Sequence, residues 1–159
     1  MIDPQRYRDI MSAFPSGVVV LTAFGSDAKP RGLTVSAFCP VSLNPPLVLA
    51  CVDKTSNTLP AVQHASGFTA NILAAGREHL ARRMASKLTE KFDGVAWQRP
   101  EGQVGGPVLV DDCAAYAICA VQQTIEAGDH WILIGAVIDG EHNAGVSPLI
   151  FSRREYFGL

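Results

Sequence analysis

The stretch GVVVLTAF at residues 17–24 decides the fold, because its run of β-branched and apolar residues predicts a buried β-strand. Six further runs of similar character follow along the chain, separated by residues that favour turns. The two longest runs are joined only by Glu126-Ala127-Gly128-Asp129, and so short a connection predicts an antiparallel hairpin. The predicted strands cover residues 17–24, 33–38, 47–52, 68–73, 114–125, 131–138 and 149–152.

Helical and irregular segments lie between these strands. Residues 3–13 and 77–86 predict short helices, and residues 56–58 supply good N-cap residues for another. Residues 40–46, bounded by prolines, predict a loop, whereas the Gly- and Pro-rich residues 87–108 predict a flexible excursion over a pocket. About seven strands with few helices predict a mostly β protein, an antiparallel barrel with helical caps.

Composition and charge limit the possible partners. The 159 residues suit a single domain, residues 1–159, and the formal net charge of −2 argues against nucleic acid as the main partner. No uncharged apolar run reaches the roughly 18 residues of a membrane span, and the N-terminus lacks the pattern of a signal peptide. The four cysteines match no zinc pattern, so we expect a cytoplasmic protein with reduced thiols, no membrane association and no metal site.

Several common cofactor and catalytic motifs are missing from the sequence. No G-x-G-x-x-G follows a predicted strand, and neither G-x-x-x-x-G-K-[ST] nor G-x-S-x-G occurs. The four histidines do not cluster at metal-ligand spacing, and no pair of carboxylates indicates acid–base catalysis. The sequence therefore gives no support to a Rossmann site, a P-loop site or a hydrolase triad.

Small hydroxyl residues beside backbone amides are the strongest remaining candidate for a binding site. Thr34 and Ser36 share one face of a predicted strand. Residues 53–58, Asp-Lys-Thr-Ser-Asn-Thr, leave another strand and enter a helix, whose first amides lack intrahelical partners and can bind a phosphate. Lys54 adds positive charge to this segment. A solvated turn with a helix cap explains the same residues, so both interpretations stay open.

The sequence Gly128-Asp129-His130, with Gly135 five residues further on, opens a predicted strand. As a bare pattern it is a hairpin turn followed by a histidine. A lone histidine is more often structural or solvated than catalytic, so this pattern alone assigns no function.

Seven segments in the same order resemble the short-chain flavin reductase family and together span residues 14–156. The opening strand at residues 14–22 (FPSGVVVLT), the strand at residues 32–38 (GLTVSAF) and the loop at residues 42–47 (SLNPPL) resemble the first part of that family. The remaining matches are C-x-x-x-x-S-x-T at Cys51, Ser56 and Thr58, F-x-x-N-x-L at Phe68, Asn71 and Leu73, G-D-H-x-x-x-x-G at residues 128–135, and a closing segment with Leu149, Phe151, Arg153 and Tyr156.

The resemblance implies an antiparallel split β-barrel, Greek-key-like, with short capping helices and a flavin seat centred on residues 32–37. Residues 34–37 would hold the isoalloxazine, residues 51–53 would line the ring and ribityl chain, and Ser56 and Thr58 would receive the phosphate. His130 would lie beside the nicotinamide as the catalytic residue. The implied cofactor-binding residues are Thr34, Val35, Ser36, Ala37, Cys51, Val52, Asp53, Lys54, Ser56, Asn57, Thr58, Lys91 and Phe92.

The activity implied by the resemblance is that of an NAD(P)H:flavin oxidoreductase. Such a protein transfers a hydride from NADH or NADPH to FAD or FMN and supplies reduced flavin to a separate flavin-dependent monooxygenase. The resemblance also implies a homodimer. It leaves the choice between FAD and FMN, and between NADH and NADPH, open. The alternatives are a non-catalytic flavin-binding carrier or redox sensor, and a small β-barrel that binds another apolar ligand or a protein partner.

Overall fold

The computed structural model describes residues 1–158, which form ten strands and three helices. None of these helices has the length and apolar character that a membrane crossing requires. The helices are α1 (Pro4–Ser12), α2 (Leu59–Ala65) and α3 (Glu78–Ala85). The strands are β1 (Ser16–Gly17), β2 (Val19–Phe24), β3 (Pro30–Val35), β4 (Phe38–Leu43), β5 (Pro46–Asp53), β6 (Gly67–Leu73), β7 (Cys113–Ala127), β8 (His130–His142), β9 (Leu149–Ser152) and β10 (Glu155–Gly158).

Seven of the strands form one antiparallel sheet in the order β3-β2-β6-β7-β8-β5-β4, and β1, β9 and β10 form a smaller one. The edge strands β3 and β4 follow each other in the chain and are linked by Ser36 and Ala37 alone. β3 also contacts β5, so the sheet curls towards closure and stays split between its two edges. The prediction of a mostly β, antiparallel split barrel with short helices is therefore confirmed.

Hydrophobic side chains are buried on both sides of β2, which explains its continuous apolar sequence. On one side, Leu21 belongs to a core that also contains Phe68 of β6 and Val62 of α2. On the other side, Val20 packs in a second cluster with Met84 of α3 and residues of β9. Because both faces of β2 are buried, α2 packs on one side of this strand and α3 on the other.

Two predicted strands are interrupted in the structure. The strand predicted at residues 17–24 is divided at Val18, which leaves β1 in the small sheet and β2 in the large one. The strand predicted at residues 33–38 ends at Val35, and Ser36 forms a bend. Thr34 and Ser36 therefore do not share one strand face, because the chain crosses here from one sheet edge to the other.

The loop predicted at residues 40–46 is wrong, because most of it is strand β4. β4 lies at the edge of the sheet and pairs only with β5, where a proline need not interrupt a ladder. Strand β10 was not predicted. The turn before it holds Arg153 and Arg154 at positive φ, 49° and 66°, rather than the glycine or asparagine that usually signals such a turn.

The irregular segment at residues 87–108 has two different parts. Residues 87–98, the outer loop, are largely exposed and lie over a cleft. Residues 105–109, the inner loop, are fully buried. The inner loop follows Val104 and packs against the face of β2 and β6 that carries the second cluster, so the prediction of a flexible excursion is wrong for this part. The predicted hairpin is confirmed, since β7 and β8 pair from Ala127 and His130 onwards.

Candidate flavin-binding site

The split in the sheet exposes main-chain groups of Ser36 and Ala37. The carbonyl of Ser36 accepts a hydrogen bond from the Phe38 amide at 3.0 Å, and that of Ala37 accepts one from the Cys51 amide at 2.9 Å. Within residues 1–158, neither Ser36 nor Ala37 donates its own amide to another backbone group. Both residues are exposed. The gap between β3 and β4 therefore offers two amide donors, a set that suits the nitrogen and oxygen acceptors on the edge of a flavin ring.

Two further predicted site residues, Asp53 and His130, lie on β5 and β8, and Asp53 is two residues along β5 from Cys51. Asp53 pairs in register with His130, and the His130 Nδ1 lies 2.7 Å from a carboxylate oxygen of Asp129. The Thr55 hydroxyl and amide donate to Asp53 at 2.7 and 2.6 Å and hold the pKa of its carboxyl below its usual value. The Nδ1 of His130 is thus engaged by the Asp129 carboxylate, which leaves Nε2 as its remaining nitrogen, and 42% of the side chain is exposed.

Cys51 exposes part of its side chain to a ligand, whereas the predicted site residues Val35 and Val52 are buried. Cys51 is half-buried, and burial raises the pKa of its thiol, so the group is a neutral, apolar surface. Val35 and Val52 are 8% and 1% exposed and belong to the core. Any contact that these two valines make with a ligand must therefore come from their main chain.

The side chains of Thr34 and Lys54 make their hydrogen bond and ion pair with residues outside the gap. The Thr34 hydroxyl donates to the Ala81 carbonyl at 2.7 Å and so ties α3 to β3. The Lys54 ammonium forms an ion pair with Glu126 and lies 5.7 Å from the ring centroid of Trp131. Both side chains therefore stabilise the walls of the site, and Lys54 is directed to the hairpin.

Residues 53–58 make a tight turn between β5 and α2. The Ser56 amide donates to the Asp53 carbonyl at 3.0 Å, and the Ser56 hydroxyl accepts from the Thr58 amide at 3.1 Å. Thr58 is the N-cap of α2, but its side chain makes no capping hydrogen bond, contrary to the usual role of a threonine there. The turn therefore holds the hydroxyl groups of Ser56 and Thr58 close to Asn57, between the gap and the cleft.

The cleft beneath the outer loop has a volume of about 550 Å³. It brings together four of the predicted residues, namely Asn57, Thr58, Lys91 and Phe92. Arg31 and Trp97 also line the cleft, and neither was predicted to be a site residue. The only sequence signals for these two were the position of Arg31 next to the predicted seat and the presence of a tryptophan in a Gly- and Pro-rich segment.

Lys91 fixes the outer loop to the barrel. Its ammonium donates to the Gly32 carbonyl at 3.0 Å and to the Met84 carbonyl at 2.7 Å. Within residues 1–158 it has no carboxylate partner, and burial, with the nearby charge of Lys87, lowers its pKa. Two of the three N–H donors of the ammonium are therefore used in these bonds. The third donor and the positive charge remain for an anion in the cleft.

The ring of Phe92 lies directly against Gly32. A Cβ atom at Gly32 would come within 3.1 Å of Phe92 and 2.9 Å of the Met84 sulfur. Any larger residue at this position would displace the ring. The glycine therefore sets the position of the aromatic wall of the cleft.

Known proteins are similar in sequence to this chain along nearly its whole length. A family model described as "Flavin reductase like domain" matches residues 11–159. The flavin reductase (NADH) of Kitasatospora aureofaciens is 41% identical over an alignment that covers 98% of this chain and 82% of that protein. HsaB, the reductase subunit of a flavin-dependent monooxygenase in Rhodococcus jostii, is 34% identical, with 99% and 79% covered.

The backbone also matches a solved structure of a related protein. The NADH:FAD oxidoreductase SgcE6 of Streptomyces globisporus, solved in complex with NAD and FAD fragments, is 34% identical and superposes with a TM-score of 0.86. The match covers 99% of this chain and 94% of that one. With the family model spanning most of its sequence, the chain belongs to the flavin reductase-like domain family.

Proposed function

We propose that the chain is an NAD(P)H-dependent flavin reductase, which transfers a hydride from reduced nicotinamide to FAD or FMN and supplies reduced flavin to a separate monooxygenase. Relatives named flavin reductase (NADH) and monooxygenase reductase subunit support this activity. The observation that carries the proposal is the gap at Ser36 and Ala37, where two amide donors lie next to Cys51, while His130 lies on the strand that pairs with β5.

The binding roles follow from the groups available on each side of the turn. The flavin ring accepts a hydride that the nicotinamide supplies, so the protein must chiefly bind and orient both rings. We assign the ring to the amides of Ser36 and Ala37, with Cys51 and Asp53 along its edge. The residues that would bind the phosphate are Ser56, Asn57, Thr58 and Lys91, which lie along the turn and in the cleft.

His130 is proposed to orient the nicotinamide or to assist a proton at the flavin. Its Nδ1 is held by Asp129, which leaves Nε2 for a ligand. Replacing His130 by alanine should therefore lower kcat or raise the KM for the nicotinamide nucleotide by about 10-fold. His142→Ala, at the opposite end of the same strand, is the matched control. Unchanged kcat and KM in His130→Ala would contradict the role.

An anaerobic reduction assay tests the activity itself. The protein is mixed with FAD or FMN and with NADH or NADPH, and the flavin absorbance band is followed against the uncatalysed rate. Rapid bleaching in at least one combination supports the reductase. A flavin that binds but is not reduced faster than in the control would instead identify a carrier or sensor. Absence of both binding and reduction would favour a barrel for another ligand.

We also propose a homodimer and a cytoplasmic location. Helix α1 buries none of its residues, and Tyr7, Ile10 and Met11, with Phe14 beyond its end, expose between 47% and 75% of their surface. A second copy would cover this apolar face. The four cysteines are free thiols, which suits a reducing compartment. Light scattering that gave a monomer mass at micromolar concentration would overturn the dimer.

A further inference from the structure

Two cysteine side chains lie on the outer face of the sheet beside the gap. Phe38 of β4 and Ala50 of β5 pack in the core. Because successive side chains of a strand point to opposite faces, their neighbours Cys39 and Cys51 point outwards. Cys39 is exposed and Cys51 is half-buried, and both are free thiols. The two thiols therefore share one surface of β4 and β5.

The register of these two strands makes the cysteines diagonal neighbours. Cys39 pairs with Leu49, and Cys51 lies two residues further along β5. Diagonal neighbours in an antiparallel pair are roughly 7–8 Å apart, with their Cβ atoms somewhat closer. Burial raises the pKa of the Cys51 thiol, and the nearby Cys39 raises it further. The two sulfur atoms therefore lie within electrostatic reach of each other.

This spacing suits a metal bridge better than a disulfide. A disulfide needs Cβ atoms about 3.5–4.5 Å apart, which is closer than diagonal neighbours normally come. Two metal–sulfur bonds of about 2.3 Å each span up to about 4.6 Å between the two sulfur atoms. An ion held between the thiolates can therefore bridge the two strands without moving their backbones.

The surroundings of the two thiols select the kind of ion. Cys39 faces Leu49, and Cys51 faces Ile132 of β8, so the neighbouring side chains are apolar. Within residues 1–158, no group of three or more His, Cys, Asp and Glu side chains could hold a metal ion. Structural Zn²⁺ usually takes four ligands, whereas the softer Cu(I) prefers thiolates and accepts two. The pair therefore fits Cu(I).

We propose that Cys39 and Cys51 bind one Cu(I) ion between their sulfur atoms, and that the bound ion excludes the flavin ring from the gap. Each thiol loses its proton as its sulfur bonds the ion, so binding releases two protons and leaves copper as Cu(I). The Cys51 amide bonds the Ala37 carbonyl at 2.9 Å, which places the ion at the gap. The exclusion rests on the proposed function, because it takes the ring to lie against Cys51.

Anaerobic titration with the Cu(I)–bicinchoninate complex tests the metal site. The wild type should withdraw one Cu(I) ion from the chelator and gain a thiolate-to-copper absorption band in the ultraviolet. Cys39→Ser and Cys51→Ser should each lose this binding, although two buried cysteines remain. Ser42→Ala, on the same edge strand, is the matched control and should bind copper like the wild type. Copper binding that survives in either serine variant would overturn the proposal.

Dialysis of FAD and FMN with and without copper tests the exclusion. With free Cu(I) at about ten times its Kd, a strict competitor should raise the apparent Kd of the flavin about 11-fold. Copper should have no effect in Cys39→Ser, whose flavin affinity should match that of the wild type. Unchanged flavin affinity in the copper-loaded wild type would overturn the exclusion. If the copper-free wild type binds no flavin, the proposed function and the exclusion fail together, whereas the titration still decides the metal site.

Discussion

The outer and inner loops come from one irregular segment but are held in opposite ways. The outer loop is anchored by the Lys91 ammonium, which bonds two carbonyls, by the Arg83 guanidinium, which bonds the Glu90 carbonyl, and by two backbone bonds between Gln98 and Val108. The inner loop is fixed by buried side chains from β2 and β6, which bond the main chain of residues 106, 107 and 109. A loop held by fully buried hydrogen bonds contributes to stability, whereas a loop held by more exposed bonds leaves its outer side free for a ligand.

The largest effect is expected at the inner loop, in Gly106→Ala. A Cβ atom at Gly106 would overlap the backbone of Thr22 and Ala23 in β2. The free energy of unfolding should fall by more than about 3 kcal/mol, measured by urea denaturation. Gly94→Ala in the outer loop is the matched control, because its Cβ meets open space at φ +70°, and it should cost about 1 kcal/mol. A similar decrease in the free energy of unfolding in the two variants would contradict the stated difference between the loops.

The next largest effect is expected in Asn71→Ala. The Asn71 amide donates to the carbonyls of Val20 and Pro107 and accepts from the Leu109 amide at 2.9 Å, all in the buried interior. Leaving these groups unpaired should cost about 3 kcal/mol and lower Tm by about 6–12 °C in a thermal scan. The exposed Asn143→Ala should cost less than about 1 kcal/mol. A loss below about 1 kcal/mol in Asn71→Ala would mean that the inner loop is held in another way.

A ligand-binding effect is expected at the outer loop in Lys91→Met. Removing the ammonium should weaken binding of the phosphorylated flavin about 10-fold, because the half-buried charge is lost from the cleft. Lys91→Arg keeps the charge and should restore most of the affinity. Dialysis measures the flavin affinity, and a thermal scan checks that the fold persists. Unchanged flavin affinity in Lys91→Met would restrict this lysine to anchoring the loop.

The smallest effect is expected in the pH dependence of binding. Burial lowers the pKa of the Lys91 ammonium below its ordinary value of 10.5. The group is charged below the lowered pKa and neutral above it, so flavin affinity should fall as the pH rises through that value in the alkaline range. In Lys91→Arg this alkaline decline should disappear, since a guanidinium stays protonated. An identical decline in both proteins would assign it to another group.

Most strands, though not β4 and β10, were predictable because their apolar runs are local, whereas the breaks in the runs were not. Nothing in the side chains of Val18 or Ser36 opposes a strand, and both breaks depend on where the chain changes sheets or edges. The cleft was partly predictable, since Asn57 lies in the hydroxyl-rich turn, Lys91 follows from the family resemblance, and the two line the cleft together. The pairing of Lys54 with Glu126 was not, because it depends on where a hairpin 72 residues away is placed.

The inner loop was beyond prediction for the same reason. Thr22, Thr69 and Asn71 are polar residues within strands, and nothing nearby in the sequence indicates their partners. Their hydrogen bonds to the inner loop span 36 to 85 residues of chain. Long-range contacts of this kind arise only once β2 and β6 have paired and the loop packs against one face of that pair.

The gap at Ser36 and Ala37 has a consequence for genetics and evolution. Its hydrogen-bond donors are main-chain amides, which every residue except proline supplies. An alanine scan would pass over both positions, while proline at either would delete a donor outright. If the two amides bind the flavin as proposed, other side chains at these positions would keep both donors.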